Sequence, residues 1–200
     1  WESCLVYIDD IIVFGSNVNT HLERLEKVFQ ALKSANLKLK PSKCKLFKQN
    51  VEFLGHIIST DGIQPDPAKT KAAQDISLPK NVKQLQRFLG LIQWFRRFIP
   101  NLAETAKPLY ELLNKNVQFT MTQGRIDAFE RLKESLINPP ILKFPIFDGS
   151  AKFIIQCDAS KNAIGAVLLQ RSEREQWIIA YSSHQFSPTQ KRYSAIEREC

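Results

Sequence analysis

Short β-forming runs near both ends of the chain, a long stretch of helical periodicity between them, and proline breaks at the seams predict a multidomain α+β protein. Its 200 residues, 44% hydrophobic and 24% charged, suffice for one sizeable core or two small ones and exclude disorder as the dominant state. Lysine and arginine number 28 against 20 acids, a net charge of +8, which favours polyanionic partners and nucleic acid first among them. No run approaches the ~18 apolar residues of a membrane span. No basic-then-apolar leader opens the chain either, so a soluble, unsecreted protein is expected. Cys4, Cys44, Cys157 and Cys200 lie too far apart for a disulfide framework or a close-set zinc site, and reduced thiols of the cytosol or nucleus are expected. The chain begins at Trp1 without an initiator methionine and stops at Cys200 inside a predicted helix, which reads as a fragment of something longer.

Leu5–Ile8 and Ile11–Phe14 predict a tight hairpin with Asp9 and Asp10 at its tip. Thr20 and Glu23 form a capping-box pattern, and Leu22, Leu25, Phe29 and Leu32 give an amphipathic helix ending near Asn36. Lys38, Lys40, Lys43, Lys45 and Lys48 follow without an acid among them, a basic strip in strand or loop. Val51–Ser59, Asp61-Gly62 and Ile63 predict a second hairpin turning on the Asp-Gly pair, after which Pro65 and Pro67 open a new helix.

Asn81 caps the next predicted helix, whose core stripe is Val82, Leu85, Phe88, Leu89 and Ile92, continued by Ile99. A second stripe, Gln86, Gly90 and Trp94, recurs every four residues, and no acid occurs between Ile76 and Ala103. A mid-helix glycine costs ~1 kcal/mol against alanine, so Gly90 asks for a reason such as close approach by a partner; a nucleic-acid groove is one. Residues 101–142 read as helix, loop and helix, the second packing Ala128, Phe129, Leu132 and Leu136 before Pro139-Pro140 ends it. Phe153–Asp158 and Ala163–Gln170, joined by Ser160-Lys161-Asn162, and then Gln176–Ser182 predict a meander, with a helix opening at Ser194. His21, His56 and His184 lack metal-ligand spacing with the cysteines and read as surface or hydrogen-bonded residues.

Phosphoryl transfer to a 3′-hydroxyl uses two divalent ions about 4 Å apart, bridged by carboxylates crowded at one point. Asp9 and Asp10 are such acids, and magnesium, or manganese in its place, is the matching hard ion. Tyr7-Ile8-Asp9-Asp10 between apolar strands resembles the catalytic hairpin of reverse transcriptases. Asn36–Phe47, with Pro41-Ser42-Lys43-Cys44, resembles the lysine-bearing segment that follows. Val51–His56 is similar to the primer grip of Gypsy-type long-terminal-repeat retrotransposons, and Leu85–Ile99 to their thumb helix. Pro108–Leu113 and Ala128–Lys133 resemble the connection segment, with Met121 standing where a tryptophan is common. Phe153–Gln170 and Tyr193–Cys200 resemble the start of the ribonuclease H domain.

The resemblance implies four segments: residues 1–64 as the rear of the polymerase palm, 65–115 as thumb, 116–150 as connection, and 151–200 as the start of an α/β ribonuclease H-like domain. It implies Asp9 and Asp10 as polymerase metal ligands, and Asp158 with Glu199, or else Glu197, as ribonuclease H ligands, two magnesium ions serving each site. Phe53, Leu54, Gly55 and His56 would grip the primer. Gln86, Gly90 and Trp94 would touch the groove, with Lys83, Arg87 and Arg97 on phosphates. Lys43 would serve as proton donor or phosphate contact, although a solvated lysine in a run of five is the plain alternative. RNA–DNA hybrid, DNA template-primer and dNTPs are the implied partners, in a polyprotein with protease and integrase, working in the cytoplasm within virus-like particles with access to the nucleus. The isolated chain is expected to bind nucleic acid without catalysis; a non-enzymatic binding module or relic of such an element is the other reading.

Overall fold

The computed structural model describes residues 4–199, which form two compact units divided between Leu54 and Gly55. In the first unit, β1 (Cys4–Tyr7) and β2 (Asp10–Val13) pair antiparallel with Cys4 opposite Val13 and Tyr7 opposite Asp10. The turn is therefore Ile8-Asp9, one residue earlier than the sequence predicts, and Asp10 begins β2. Ile8 has φ 52, because a two-residue hairpin turn that follows the strand twist needs a positive φ in its first central position. Helix α1 (Val18–Ser34) also starts early: the Asn17 side chain accepts from Thr20 N at 2.9 Å, so Asn17 is the cap and Thr20 lies inside the first turn. Arg24 secures the helix to the end of the hairpin, donating to Phe14 O at 2.9 Å with its guanidinium over the Phe14 ring. Residues 37–50 contain only a 3-10 turn, Pro41–Lys43, and leave all five lysines of the basic strip exposed. A short strand, β3 (Val51–Phe53), follows.

The second unit opens with β4 (His56–Ser59) and β5 (Gly62–Pro65), paired antiparallel with Ser59 opposite Gly62. Here the structure corrects the second predicted hairpin twice. Its turn is Thr60-Asp61, and the continuous strand over Val51–Ser59 is interrupted at Leu54 (φ 51) and Gly55 (φ 75), whose left-handed backbones cannot sit in a strand. Gly62 opens β5 at φ 136, where any side chain would run into the Leu142 carbonyl. Helix α2 (Pro67–Gln74) is capped by Asp66 with proline in its first turn, and α3 (Val82–Trp94) by Asn81, whose side chain accepts from Gln84 N at 3.0 Å.

Leu85, Phe88, Leu89 and Ile92 of α3 are buried, and Phe95, Phe98 and Ile99 extend the core through a 3-10 turn at Arg96–Phe98. Val82, expected in the core, lies at the first position of α3 and is 37% exposed, and the buried stripe begins at Leu85. Helices α4 (Leu102–Glu111) and α5 (Gln123–Ile137) close the core, with the rings of Phe88 and Phe129 4.5 Å apart. Phe119 and Met121 pack against its edge.

A meander of β6 (Lys152–Ala159), β7 (Ala163–Arg171) and β8 (Gln176–Gln185) follows, β8 running three residues beyond the predicted Ser182 and β7 bulging against it at Leu168/Leu169. The amino end of α4 docks on this sheet: Ala103 N donates to Ser183 Oγ at 2.9 Å, and Gln185 Nε2 donates to Ala103 O at 3.0 Å. Gln170, fully buried, accepts from Ile146 N and donates to Ile146 O, so an amide side chain substitutes for a strand edge. The last described element is α6 (Ala195–Glu199). Cys4, Cys44 and Cys157 are free thiols; Cys200 and Trp1, on which the fragment reading rested, lie outside the described residues. Among the described residues no helix is long and apolar enough to cross a membrane.

Candidate nucleic-acid interface and carboxylate sites

Asp9 and Asp10 are both exposed at the end of the first hairpin. The neighbouring Ile8 is 81% exposed, and for a β-branched residue its left-handed backbone is a genuine outlier. Strain of this kind, held at a loop tip without a packing return, is common at functional sites. The two carboxylates offer hard oxygens that suit magnesium with the rest of its shell drawn from water and phosphate. Among the described residues no three acidic, histidine or cysteine side chains gather closely enough to hold a metal by themselves.

Asp158 lies on β6 directly opposite Gly165, exposed, and Glu199 ends α6, also exposed. Arg198 ties α6 to the end of β6, donating to Ser160 O at 2.9 Å. The alternative ligand, Glu197, is already engaged: its carboxylate accepts from Ser194 N at 2.8 Å, and its own N–H reaches Ser194 Oγ. These hydrogen bonds to Ser194 hold the Glu197 carboxyl below its ordinary pKa. The Ser-x-x-Glu capping box was present in the sequence as a signal and went unread.

On α3 the residues Gln86, Gly90 and Trp94 form an exposed stripe, and the core residues occupy other faces of the helix. Trp94 is 58% exposed. A Cβ added to Gly90 would meet nothing within 4 Å, so no internal contact requires this glycine. Lys83 and Arg87 stand exposed on the same helix, and Arg97 follows it with its guanidinium over the Phe98 ring and its pKa lowered by burial. Lys43 ends the exposed 3-10 turn of the first unit.

The predicted primer-grip residues divide. Phe53 is half-buried, and Leu54 and Gly55 make a left-handed bend. The Gly55 carbonyl accepts from Asp66 N at 3.1 Å. His56 turns inward, its ring stacked on Phe98 at 5.6 Å and edge-on to Phe95 at 5.9 Å, a hydrophobic role that its sequence neighbours do not announce. Sequence reasoning also passed over Gln93 and Tyr110, which are joined by a 2.7 Å hydrogen bond; they lie 17 residues apart and only the fold unites them.

Residues 2–58 match the family model of reverse transcriptase (RNA-dependent DNA polymerase), and residues 121–200 that of the RNase H-like domain found in reverse transcriptase. Over nearly its whole length the chain is similar to the reverse transcriptase and RNase H-like regions of retrotransposon Pol polyproteins. It is 43% identical over 199 residues to the retrovirus-related Pol polyprotein from transposon 297 of Drosophila melanogaster, covering 99% of this chain and 18% of that protein. It is 34% identical over 194 residues to the transposon Tf2-3 polyprotein of Schizosaccharomyces pombe, covering 96% of this chain and 14% of that protein. The chain thus spans less than a fifth of these two relatives. Among solved structures, the foamy viral protease-reverse transcriptase dRH in complex with double-stranded DNA matches with a TM-score of 0.82 at 29% identity, covering 98% of this chain and 34% of that one. The same viral enzyme in complex with RNA/DNA hybrid matches with a TM-score of 0.81, over 98% of this chain and 26% of that one. The reverse-transcriptase match contains Asp9, Asp10, Lys43 and Phe53–His56, and the RNase H-like match contains Asp158 and Glu199. The α3 stripe lies between the two.

Proposed function

We propose that this chain is the rear of the palm (1–64), the thumb (65–115), the connection (116–150) and the opening of the RNase H-like domain (151–200) of a Gypsy-type long-terminal-repeat retrotransposon. Its own activity is to grip a template-primer duplex. One observation carries this reading: α3 presents Gln86, Gly90 and Trp94 to solvent, and the space over Gly90 serves no contact within the protein. A glycine that costs ~1 kcal/mol in helix propensity and gains nothing internally suits a partner backbone lying against it. Lys83, Arg87 and Arg97 add sequence-independent attraction to phosphates, with no acid between Ile76 and Ala103 to oppose them. Phe53, Leu54 and Gly55 support the primer strand, and His56 braces that bend from inside.

In the parent polyprotein, Asp9 and Asp10 hold magnesium for polymerisation from dNTPs, and Asp158 and Glu199 hold it for cutting the RNA of a hybrid. Bound there, the ions would neutralise the charge that develops on the transferring phosphate. The strained Ile8-Asp9 turn projects both polymerase carboxylates from a strand edge, and Lys43 offers a proton or a phosphate contact. Glu197 keeps its carboxylate on the helix cap, which leaves Glu199 as the ligand. Such a parent operates in the cytoplasm inside virus-like particles, beside protease and integrase. On this reading the 200 residues alone bind duplex without extending a primer. The second reading, a binding module without chemistry, rests on the same exposed face of α3.

Binding of a hybrid duplex by the purified chain tests both. Trp94→Ala weakens binding by about tenfold, the size expected when a large aromatic anchor at an interface is truncated, while Asp10→Asn leaves it unchanged. Unchanged affinity for Trp94→Ala, or equal affinity for heparin, sinks the groove contact. Magnesium-dependent primer extension abolished by Asp10→Asn sinks the non-catalytic reading.

A further inference from the structure

Helix α4 meets the β6–β8 sheet beside Asp158. The strand register sets Asp158, Gly165 and Ser183 side by side, so the three share one face of the sheet. Ser183 Oγ accepts from Ala103 N at 2.9 Å, and any side chain on Gly165 would run into the Asn101 carboxamide. Asn101 stands before α4 with φ 50 and makes no side-chain cap bond. Two of the three residues in the row of Asp158 therefore carry the amino end of α4.

The next residue of that helix reaches further. Glu104 Oε2 accepts from Ser160 Oγ at 2.7 Å, and Ser160 lies two residues past Asp158. The same Ser160 oxygen accepts from Asn162 N at 3.0 Å and from Ala163 N at 3.1 Å, which closes the β6–β7 turn. Its one proton has two acceptors in reach, the Glu104 carboxylate and, at 3.2 Å, Ala163 O; the shorter, charge-assisted bond takes it. The turn closes through its own backbone, so Glu104 is not needed to form it. On its other side the turn holds α6, because Arg198 donates to Ser160 O at 2.9 Å. A helix of five residues does not fix its own position, and among the described residues this is the hydrogen bond that anchors α6 beyond its own segment.

We propose that Glu104 is a positioning residue for the ribonuclease H carboxylates: it holds Ser160 from the α4 side, so that Glu199, carried on α6, keeps its place relative to Asp158. Paired ions about 4 Å apart tolerate little drift in the carboxylates that bridge them. This rests on Asp158 and Glu199 as metal ligands, the reading given under Proposed function. It brings to their site a residue from outside the RNase H-like match over residues 121–200.

Manganese titrated into the isotope-labelled 200-residue chain tests it, since the paramagnetic ion broadens the amides around its ligands. Wild type is expected to lose the amides of Ala159 and Arg198 together, as one site. Glu104→Ala should weaken that site about tenfold, the effect of losing an outer partner of a ligand, while the broadening around Asp10 and the thermal midpoint stay as they were. Glu104→Gln, which keeps an acceptor for Ser160 and discards the charge, should restore the wild-type response. Undiminished broadening in Glu104→Ala overturns the proposal. A loss in Glu104→Gln as deep as in Glu104→Ala overturns it too, since Glu104 is then itself a ligand of the ion. If manganese leaves Ala159 and Arg198 sharp in wild type, the metal reading of Asp158 and Glu199 fails separately. Amide exchange in residues 195–199 then decides: acceleration in Glu104→Ala that Glu104→Gln reverses retains Glu104 as the residue that positions α6, and equal exchange in all three chains ends it.

Discussion

Helices α1 and α3 carry the same kind of amphipathic pattern, yet α1 buries one of its 17 residues and α3 four of its 13. In α1 only Leu25 is covered, while Leu22 and Phe29 stay 48% and 43% exposed beside Leu46 and Phe47. In α3 the apolar stripe meets α4 and α5, and Phe88 closes against Phe129. A periodic pattern specifies which face of a helix is apolar; what covers that face is decided elsewhere in the chain. The two helices therefore owe their stability to different sources, α1 to its Asn17 cap and local ties and α3 to burial.

The sharpest way to break that contrast is a pair of truncations. Phe88→Ala should cost about 3–5 kcal/mol by denaturant unfolding of the second unit, as a fully buried phenylalanine does. Phe29→Ala should cost below about 1 kcal/mol in the first unit, since much of its ring is already in water. Comparable losses at both positions would show that the apolar face of α1 is covered in solution.

A smaller effect separates folding from function within α3 itself. Gly90→Ala should raise stability by up to about 1 kcal/mol, because the added methyl meets open space and the helix gains propensity. The same change should weaken duplex binding measurably. A stabilised variant with undiminished binding would remove Gly90 from the interface.

The smallest effect concerns the short helix α6. Hydrogen bonds from Ser194 hold the Glu197 carboxyl below its ordinary value, so the cap contributes above that value and is lost as pH falls through the lowered one. Amide exchange in residues 195–199 should accelerate in acid, and Glu197→Ala should show the fast exchange already at neutral pH, with Glu199→Gln indifferent. Fast exchange in Glu199→Gln instead would reverse the roles of the two glutamates.

Much of this was legible in the sequence where the signal was local. Asn81, Pro67 and the Ser160–Asn162 turn announce their elements because capping and turn chemistry act over a few residues. The core stripe of α3 followed from spacing alone, and the Gly90 stripe was visible as a cost without an internal return. Boundaries failed where two local signals competed: Asn17 against Thr20 as cap, Thr60-Asp61 against Asp61-Gly62 as turn, Ile8 in a left-handed turn that its side chain disfavours. What joins distant residues left no trace to read. The packing of His56 on Phe98, the clamp of Gln170 on Ile146 and the tie of Glu104 to Ser160 exist only once the chain has folded.

Ile63 and Leu142 exchange two backbone hydrogen bonds of 2.8 and 3.0 Å, and the next residue, Lys143, donates to Ile178 O at 2.9 Å. One extended segment is therefore stitched to the β4–β5 hairpin and to the three-stranded sheet within two residues, before Gln170 clamps it again at Ile146. Such a segment is a strut: the sheet cannot swivel against the helical core without parting backbone pairs. Residues 142–146 thereby hold the spacing between the helical core that carries Trp94 and the sheet that carries Asp158.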